Sequence, residues 1–237
     1  MPLLPEDPAH PAWGPVRRRL EEGLRALGLE PAPARVEALL RYLGLLARWG
    51  RAYNLTAVRE PAAMVHRHLL DSLAVLPWVR GPRVLDAGTG AGLPGIPLAV
   101  WRPGLRFVLL DSVGKKLRFV RQGVLELGLK HVEVVQARME RWRAPPFATV
   151  LARAVAPLPE LPPRLGHLVA RPEGRLLVLL GEAPSSEVLE ALPPGWEAEV
   201  HPLAVPGLDA RRHLAVLRPP PGAPSIRGNA IEEGPAL

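Results

Sequence analysis

The segment "VLDAGTGAGLPGIPL" (residues 84–98) sets an acid, Asp86, just ahead of glycines at alternate positions, Gly88, Gly90 and Gly92, with Pro94-Gly95 beyond them. Glycines directly after a strand let the chain turn sharply and let a ligand approach with no Cβ in the way. A second acid, Asp111, closes the next apolar run. A carboxylate at such a strand end accepts hydrogen bonds from ribose hydroxyls, which suits any adenosine-containing cofactor. Read from Gly90, the loop also fits G-x-G-x-x-G, so a dinucleotide-dependent oxidoreductase stays open. Asp86 weighs against that alternative, because its charge would repel a pyrophosphate held at the following helix. S-adenosylmethionine carries no phosphate, and its sulfonium and ammonium groups tolerate an acid. The local pattern therefore favours the methyl donor.

The elements that must position this loop follow from periodicity. From Pro15 to Tyr53 the pattern is helical, with Val36, Leu39, Leu40, Leu43, Leu46 and Trp49 on one face. A further helix begins after Glu60, opened by Pro61, where a missing N–H costs little. No strand-like run precedes residue 83, so residues 1–80 are read as a helical cap packed on the catalytic domain. Residues 81–218 alternate strands and helices: strands at 83–88, 106–112, 132–136, 148–154 and 174–181, and a clear helix at 114–129. This alternation demands an α/β fold with a mostly parallel, Rossmann-like sheet and ligands at the carboxyl ends of its strands. Two last strands, 196–205 and 213–218, lack a helix between them and predict an antiparallel hairpin closing the sheet. Three prolines (159, 162, 163) predict a short or kinked helix after the fourth strand. Residues 219–237 have the composition of a disordered tail.

Composition narrows the function classes. The 237 residues contain no cysteine, which removes disulfides, thiolate metal sites and cysteine nucleophiles. His66 and His68 are two apart on a helix and face different ways, so no metal is expected. No apolar run reaches ~18 residues without a charge or a proline, and no membrane association is expected. The opening "MPLLPEDPAHP" has neither a basic leader nor an apolar signal core, and a cytoplasmic monomer is the expectation. The net charge of +7, almost all of it arginine, favours an anionic partner without specifying one.

Beyond the loop, "GKK" at 114–116 with Arg118 and Arg121 forms a basic cluster just past Asp111. Lys115, Lys116, Arg118 and Arg121 are candidates for RNA phosphate contacts, against the alternative of a solvated helix face. Arg211 and Arg212 in the hairpin either touch RNA or are exposed. In "RHLLDSL" Arg67, His68 and Asp71 lie within one helical turn, which predicts a local ion pair docking the cap on the sheet domain, with a role in RNA recognition as the functional alternative.

Taken in order, "AYNLTAVREPAAMVHRHLLDSL" (52–73), "VLDAGTGAGLPGIPLA" (84–99), "LLDSVGKKLRFVRQ" (109–122), "VVQARME" (134–140) and "ARAVAPL" (152–158) resemble the bacterial small-subunit ribosomal RNA methyltransferase G family, also called glucose-inhibited division protein B. The likeness runs from about residue 35 to 218. It implies a class I S-adenosylmethionine-dependent methyltransferase with a helical amino-terminal extension. The implied acceptor is N7 of one guanine in the 16S rRNA of the small ribosomal subunit. By the same resemblance Gly88 and Leu93 contact the cofactor, Asp111 takes the ribose, Met139 and Glu140 flank the adenine, and Arg153 is the catalytic candidate at the donor site. Leu180-Gly181 departs from the Lys-Gly that often ends the family's fifth strand, so any substrate role of that lysine is absent or moved. Guanine N7 bears no proton at neutral pH and needs no general base, which fits the lack of a Ser-His-Asp arrangement. The functional alternative of a different class is an rRNA-binding or ribosome-assembly protein that keeps the fold without catalysis.

Overall fold

Near-continuous apolar runs in the central strands build a sheet buried on both faces. In the computed structural model, which describes residues 5, 7–53 and 55–221, the strands are β1 (Arg83–Ala87), β2 (Arg106–Asp111), β3 (Val132–Gln136), β4 (Thr149–Arg153), β5 (Arg175–Leu180), β6 (Glu197–Pro202) and β7 (His213–Arg218). Their order is β3-β2-β1-β4-β5-β7-β6. The first five run parallel, and β7 pairs antiparallel with both β5 and β6. The hairpin expected at the end of the sheet is present, docked through β7. From β1 the chain winds outward through β2 to β3, and β4 then returns to the other side of β1. That reversal opens a crevice at the carboxyl ends of β1 and β4, where open α/β sheets bind ligands.

Alternation assigns each strand residue to a face. Val84, Phe107, Leu109, Leu151 and Leu177 face the amino-terminal helices; Leu85, Val108, Val150, Leu176 and Val178 face the other layer. By the same parity Asp86, Asp111 and Arg153 lie on the helical-cap side. The cap consists of α1 (Gly14–Ala26), α2 (Pro33–Tyr53), α3 (Pro61–Met64), a π-helical turn Val65–Leu70, and α4 (Asp71–Leu73). The apolar face read along α2 is buried at Val36, Leu39, Leu40, Leu43 and Leu46. Pro61 sits in the first turn of α3, as its position predicts. The helix expected from that point widens into the π turn, a feature that periodicity does not encode.

The remaining helices are α5 (Gly95–Trp101), α6 (Gly114–Glu126), α7 (Leu161–Leu165) and α8 (Ser186–Glu190). α7 is five residues long between two 3-10 turns, Leu158–Glu160 and Gly166–Leu168, in line with the three prolines. Of the segment expected to be a disordered tail, Pro219 is buried, and the Pro220 carbonyl accepts a hydrogen bond from Arg171; residues 222–237 lie outside the described residues.

Candidate methyl-donor site

Gly88, Gly90 and Gly92 all have positive φ, at 72°, 60° and 87°. A Cβ on Gly88 would stand 2.8 Å from Val155 Cγ2, and one on Gly92 2.5 Å from Ile96 Cδ1. Around Gly90 the nearest atom to such a Cβ is the Gly88 carbonyl oxygen at 3.9 Å, so that position opens on free space. Two glycines therefore let the loop close on its own neighbours, and the third leaves room for a ligand.

The loop spends its amides internally. Gly88 and Thr89 donate to the Leu110 carbonyl, Gly92 and Leu93 donate to the Thr89 carbonyl, and Gly90 donates to Asp111 Oδ2 at 2.9 Å. Asp86 Oδ2 accepts from the Thr89 hydroxyl at 2.5 Å and from the Gly95 amide at 2.9 Å. The acid thus occupies the first turn of α5, which a pyrophosphate would need. Its other oxygen, Oδ1, is buried with no hydrogen-bond partner. Burial pushes the Asp86 carboxyl up to about 6 despite the two hydrogen bonds and the Arg153 charge. From the cap, the buried Tyr42 hydroxyl donates to the Ala91 carbonyl at 2.7 Å and fixes the far side of the loop.

Asp111 closes β2 with its carboxylate against the loop, Oδ2 on Gly90 and Oδ1 accepting from the Val113 amide at 2.8 Å. Each oxygen keeps a second lone pair for another donor. After β3, Met139 and Glu140 fall in a turn beside Gly88, and Met139 Cε lies 3.6 Å from where a Gly88 Cβ would be. The exposed Glu140 carboxylate meets Arg164 at 3.4 Å. Arg153 ends β4, and the next residue, Ala154, has φ 53°, the single positive φ of a non-glycine among the described residues. That strained conformation turns the chain so that Val155 packs on Gly88.

Arg153 reaches the cap. Its Nη1 lies 3.3 Å from Asp71 Oδ2, while Arg212 Nε donates to Asp71 Oδ1 at 3.0 Å. The local ion pair expected between Arg67 and Asp71 is replaced by this triad: Arg67 is exposed, whereas Asp71 is buried against Arg153 and Arg212. Asp71, on the cap, thus bonds to arginines at the end of β4 and just before β7. Burial raises the Asp71 carboxyl, and the two arginines oppose that shift. His68, one turn earlier, is lowered to about 4, by burial first and then by Arg153. Its Nδ1 lies 2.9 Å from the Arg67 carbonyl, which fixes the neutral tautomer whose Nε2 accepts the Thr56 hydroxyl at 2.7 Å.

Residues 35–215 match the family described as rRNA small subunit methyltransferase G. This chain belongs to that family. It is 47% identical over 205 residues to the ribosomal RNA small subunit methyltransferase G of Serratia proteamaculans, covering 86% of this chain and 99% of the relative. Identity to the protein of the same name from Methylococcus capsulatus is 51% over 201 residues, 84% and 97% of the two chains. Among solved structures, the O-methyltransferase TomG from Streptomyces achromogenes, in complex with SAM, superposes with a TM-score of 0.51 at 21% identity, covering 76% of this chain and 89% of that one. At that identity the likeness speaks for the fold, the class I methyltransferase sheet.

For a methyltransferase G family member, the crevice suits S-adenosylmethionine on three counts: the buried unpaired oxygen of Asp86, the open space at Gly90, and the free lone pairs of Asp111. The basic residues singled out in the sequence divide. Lys115, Arg118 and Arg121 are exposed and Lys116 half-buried along α6, and the Lys115 ammonium sits 5.0 Å over the Tyr53 ring. Arg212 is engaged by Asp71, and Arg211 is exposed, 3.8 Å from Glu182. Sequence reasoning passes over Tyr42, Asp71 as partner of Arg153, and Ala154. A buried tyrosine in a leucine-rich helix, an acid 82 positions from its arginine, and an alanine in a turn carry no local signal.

Proposed function

We propose that this chain transfers the methyl group of S-adenosylmethionine to N7 of a guanine in the 16S rRNA of the small ribosomal subunit, acting in the cytoplasm as a monomer. The observation that carries the reading is the family match across residues 35–215, which spans every part of the β1–β4 crevice. S-adenosylmethionine supplies an electrophilic methyl group on a sulfonium that leaves as a neutral thioether.

This chain's residues bind and orient. Asp111, already held by Gly90 and Val113, accepts the ribose hydroxyls with its remaining lone pairs. Asp86 Oδ1 faces the ammonium end of the donor, whose charge answers a carboxylate that the protein leaves unpaired. Gly88 and Leu93 line the donor with backbone and apolar surface, and Met139 with Glu140 bounds the adenine. Arg153 stands where the acceptor base or the donor carboxylate arrives, steered by Asp71. No residue has to take a proton: the N7 lone pair attacks directly, the purine gains the positive charge, and the rate comes from alignment and exclusion of water. The triad of Asp71, Arg153 and Arg212 holds the cap over the crevice and supplies that exclusion.

The test is to incubate the protein with radiolabelled S-adenosylmethionine and small subunits from a strain lacking the modification, then map 7-methylguanosine. Label at one guanine is expected. A melting shift with the donor but no transfer to any small-subunit RNA favours the non-catalytic binding protein.

A further inference from the structure

The amino edge of the sheet, where the parallel strands begin, carries a second concentration of charge. Arg80, Arg171, Arg175 and Arg218 line a cleft of about 670 Å³ there, with Glu173 the acid in its wall. Thr149 is paired in register with Arg175 across β4 and β5, and the adjoining pair Leu176 and Leu217 brings Arg218, the last residue of β7, to the same end. The Thr149 hydroxyl donates to the Arg80 carbonyl, which ties the Arg80 backbone to this edge.

The acids do not balance these arginines. Arg218 pairs with Glu199, and Arg171 donates to the Pro220 carbonyl. Arg80 and Arg175 have no carboxylate partner among the described residues, and the Arg175 Nε is buried with no hydrogen bond at all. Burial, then the charges of Arg80 and Arg218, hold the Arg175 guanidinium below its ordinary value, with the Glu199 charge opposing them only in part. Like charges gathered around a partly desolvated cation are unfavourable unless an anion joins them.

The same edge continues across the sheet. Arg83 and Arg106 are register partners on β1 and β2, and with Lys130 and His131 just before β3 they line a second cleft of about 580 Å³, with Glu133 the acid in its wall. Strands lie ~4.8 Å apart, so cations from β3 to β7 spread over roughly 20–25 Å. A single small anion fills one cleft; a row of this length fits a chain of phosphates.

We propose that this amino edge, centred on the Arg80–Arg175 cleft, is a second RNA-binding surface that grips phosphodiester backbone on the side of the sheet away from the methyl donor. It rests on the proposed reading only for the identity of the polyanion. Strands of five and six residues set the two edges roughly 17–20 Å apart, a span that a folded ribosomal RNA covers easily. An anionic membrane is the less suitable occupant. Among the described residues the exposed large apolar side chains, Val113 and Leu125, belong to the start and the solvent face of α6, so neither stands beside these charges.

The experiment measures binding of the full chain to small-subunit rRNA across a salt series, for the parent and for Arg80→Gln combined with Arg175→Gln. Removing two phosphate-binding cations should weaken binding ~10-fold near 0.1 M salt and lower the slope of log K against log salt by about 1.4. The melting shift with S-adenosylmethionine should stay as in the parent. Arg175→Lys, which keeps the charge, should retain the slope. Unchanged affinity and slope in the double variant overturn the proposal. So does an equal loss from Arg18→Gln combined with Arg19→Gln on α1, which would reduce the effect to net charge. Loss of binding to phosphatidylglycerol vesicles with rRNA binding intact would overturn it in favour of a lipid surface. Methyl transfer is not part of the readout: a parent that binds rRNA and methylates nothing fails the proposed function and leaves this comparison intact.

Discussion

The two edges of the sheet handle charge in opposite ways. At the carboxyl edge the three acids are answered from within: Asp86 by Thr89 and Gly95, Asp111 by Gly90 and Val113, Asp71 by Arg153 and Arg212. One buried oxygen, Asp86 Oδ1, is left over. At the amino edge neither Arg80 nor Arg175 makes a direct ion pair with an acid among the described residues. A site for one small molecule of fixed shape gains from dipoles set before the ligand arrives, because nothing then has to reorganise. A surface for a polyanion gains from cations without acid partners, because contact releases the counterions of the polyanion. The carboxyl edge therefore reads as a preorganised pocket and the amino edge as an electrostatic grip.

The largest effect expected from breaking this division is at Asp111. Asp111→Ala removes the ribose acceptor and also frees the Gly90 and Val113 amides that shape the loop. With hydrogen bonds to charged groups worth ~1.5–3 kcal/mol each, donor affinity by calorimetry should fall on the order of 10²-fold or more. Affinity for rRNA should hold. A matching fall in rRNA affinity would show that the two edges do not bind separately.

Next in size is the triad that joins the cap to the crevice. Asp71→Ala leaves Arg153 and Arg212 facing each other around a buried site and should cost ~3 kcal/mol in denaturant unfolding. Arg153→Ala leaves Asp71 its bond to Arg212, so stability should drop by only ~1 kcal/mol. The transfer rate should nonetheless drop ~10²-fold, because the guanidinium no longer meets the ligand. If Arg153→Ala transferred methyl at the parental rate, the arginine would be a strut for the cap and nothing more.

Asp86 separates stability from binding inside the pocket itself. Its carboxyl is pushed from about 3.8 to about 6 in the folded chain. Below the lower value both states are protonated. Between the two, the unfolded chain has released a proton that the folded chain keeps, so stability falls as pH rises, by a total of ~3 kcal/mol once the upper value is passed. Asp86→Asn keeps an acceptor for Thr89 and Gly95 and carries no charge. The ligand-free variant should melt higher than the parent at pH 7 and lose the decline between about pH 4 and pH 6. Its donor affinity should fall, since the ammonium loses its carboxylate.

How much of each edge is legible in the sequence follows the same contrast. The carboxyl edge announces itself because positive φ after a strand selects glycine and because an acid ending an apolar run is conspicuous. The strands follow from short apolar runs alternating with helices, and the closing hairpin from two such runs with no helix between them. Asp71 stands out too, but with the wrong partner: within one turn Arg67 is the obvious cation, whereas the folded chain pairs Asp71 with arginines 82 and 141 positions away, which no local spacing signals. Ala154 takes the strained turn that a glycine would have advertised. At the amino edge, arginines at strand starts vanish among the many others in the chain, and only the strand order lines them up.

The smallest effect belongs to α6, which tests whether the carboxyl edge has an electrostatic grip of its own. Lys115 is exposed but packs its ammonium over Tyr53, a contact worth ~0.5–1 kcal/mol at such a site. Lys116 is half-buried, whereas Arg118 and Arg121 are exposed. Lys115→Ala combined with Lys116→Ala should therefore weaken rRNA binding by about 2- to 5-fold and flatten the salt slope by no more than ~1. A loss as large as that from Arg80 and Arg175 would place the main RNA contact beside the donor. The contrast between the edges would then be one of degree, with phosphate held at both ends of the sheet.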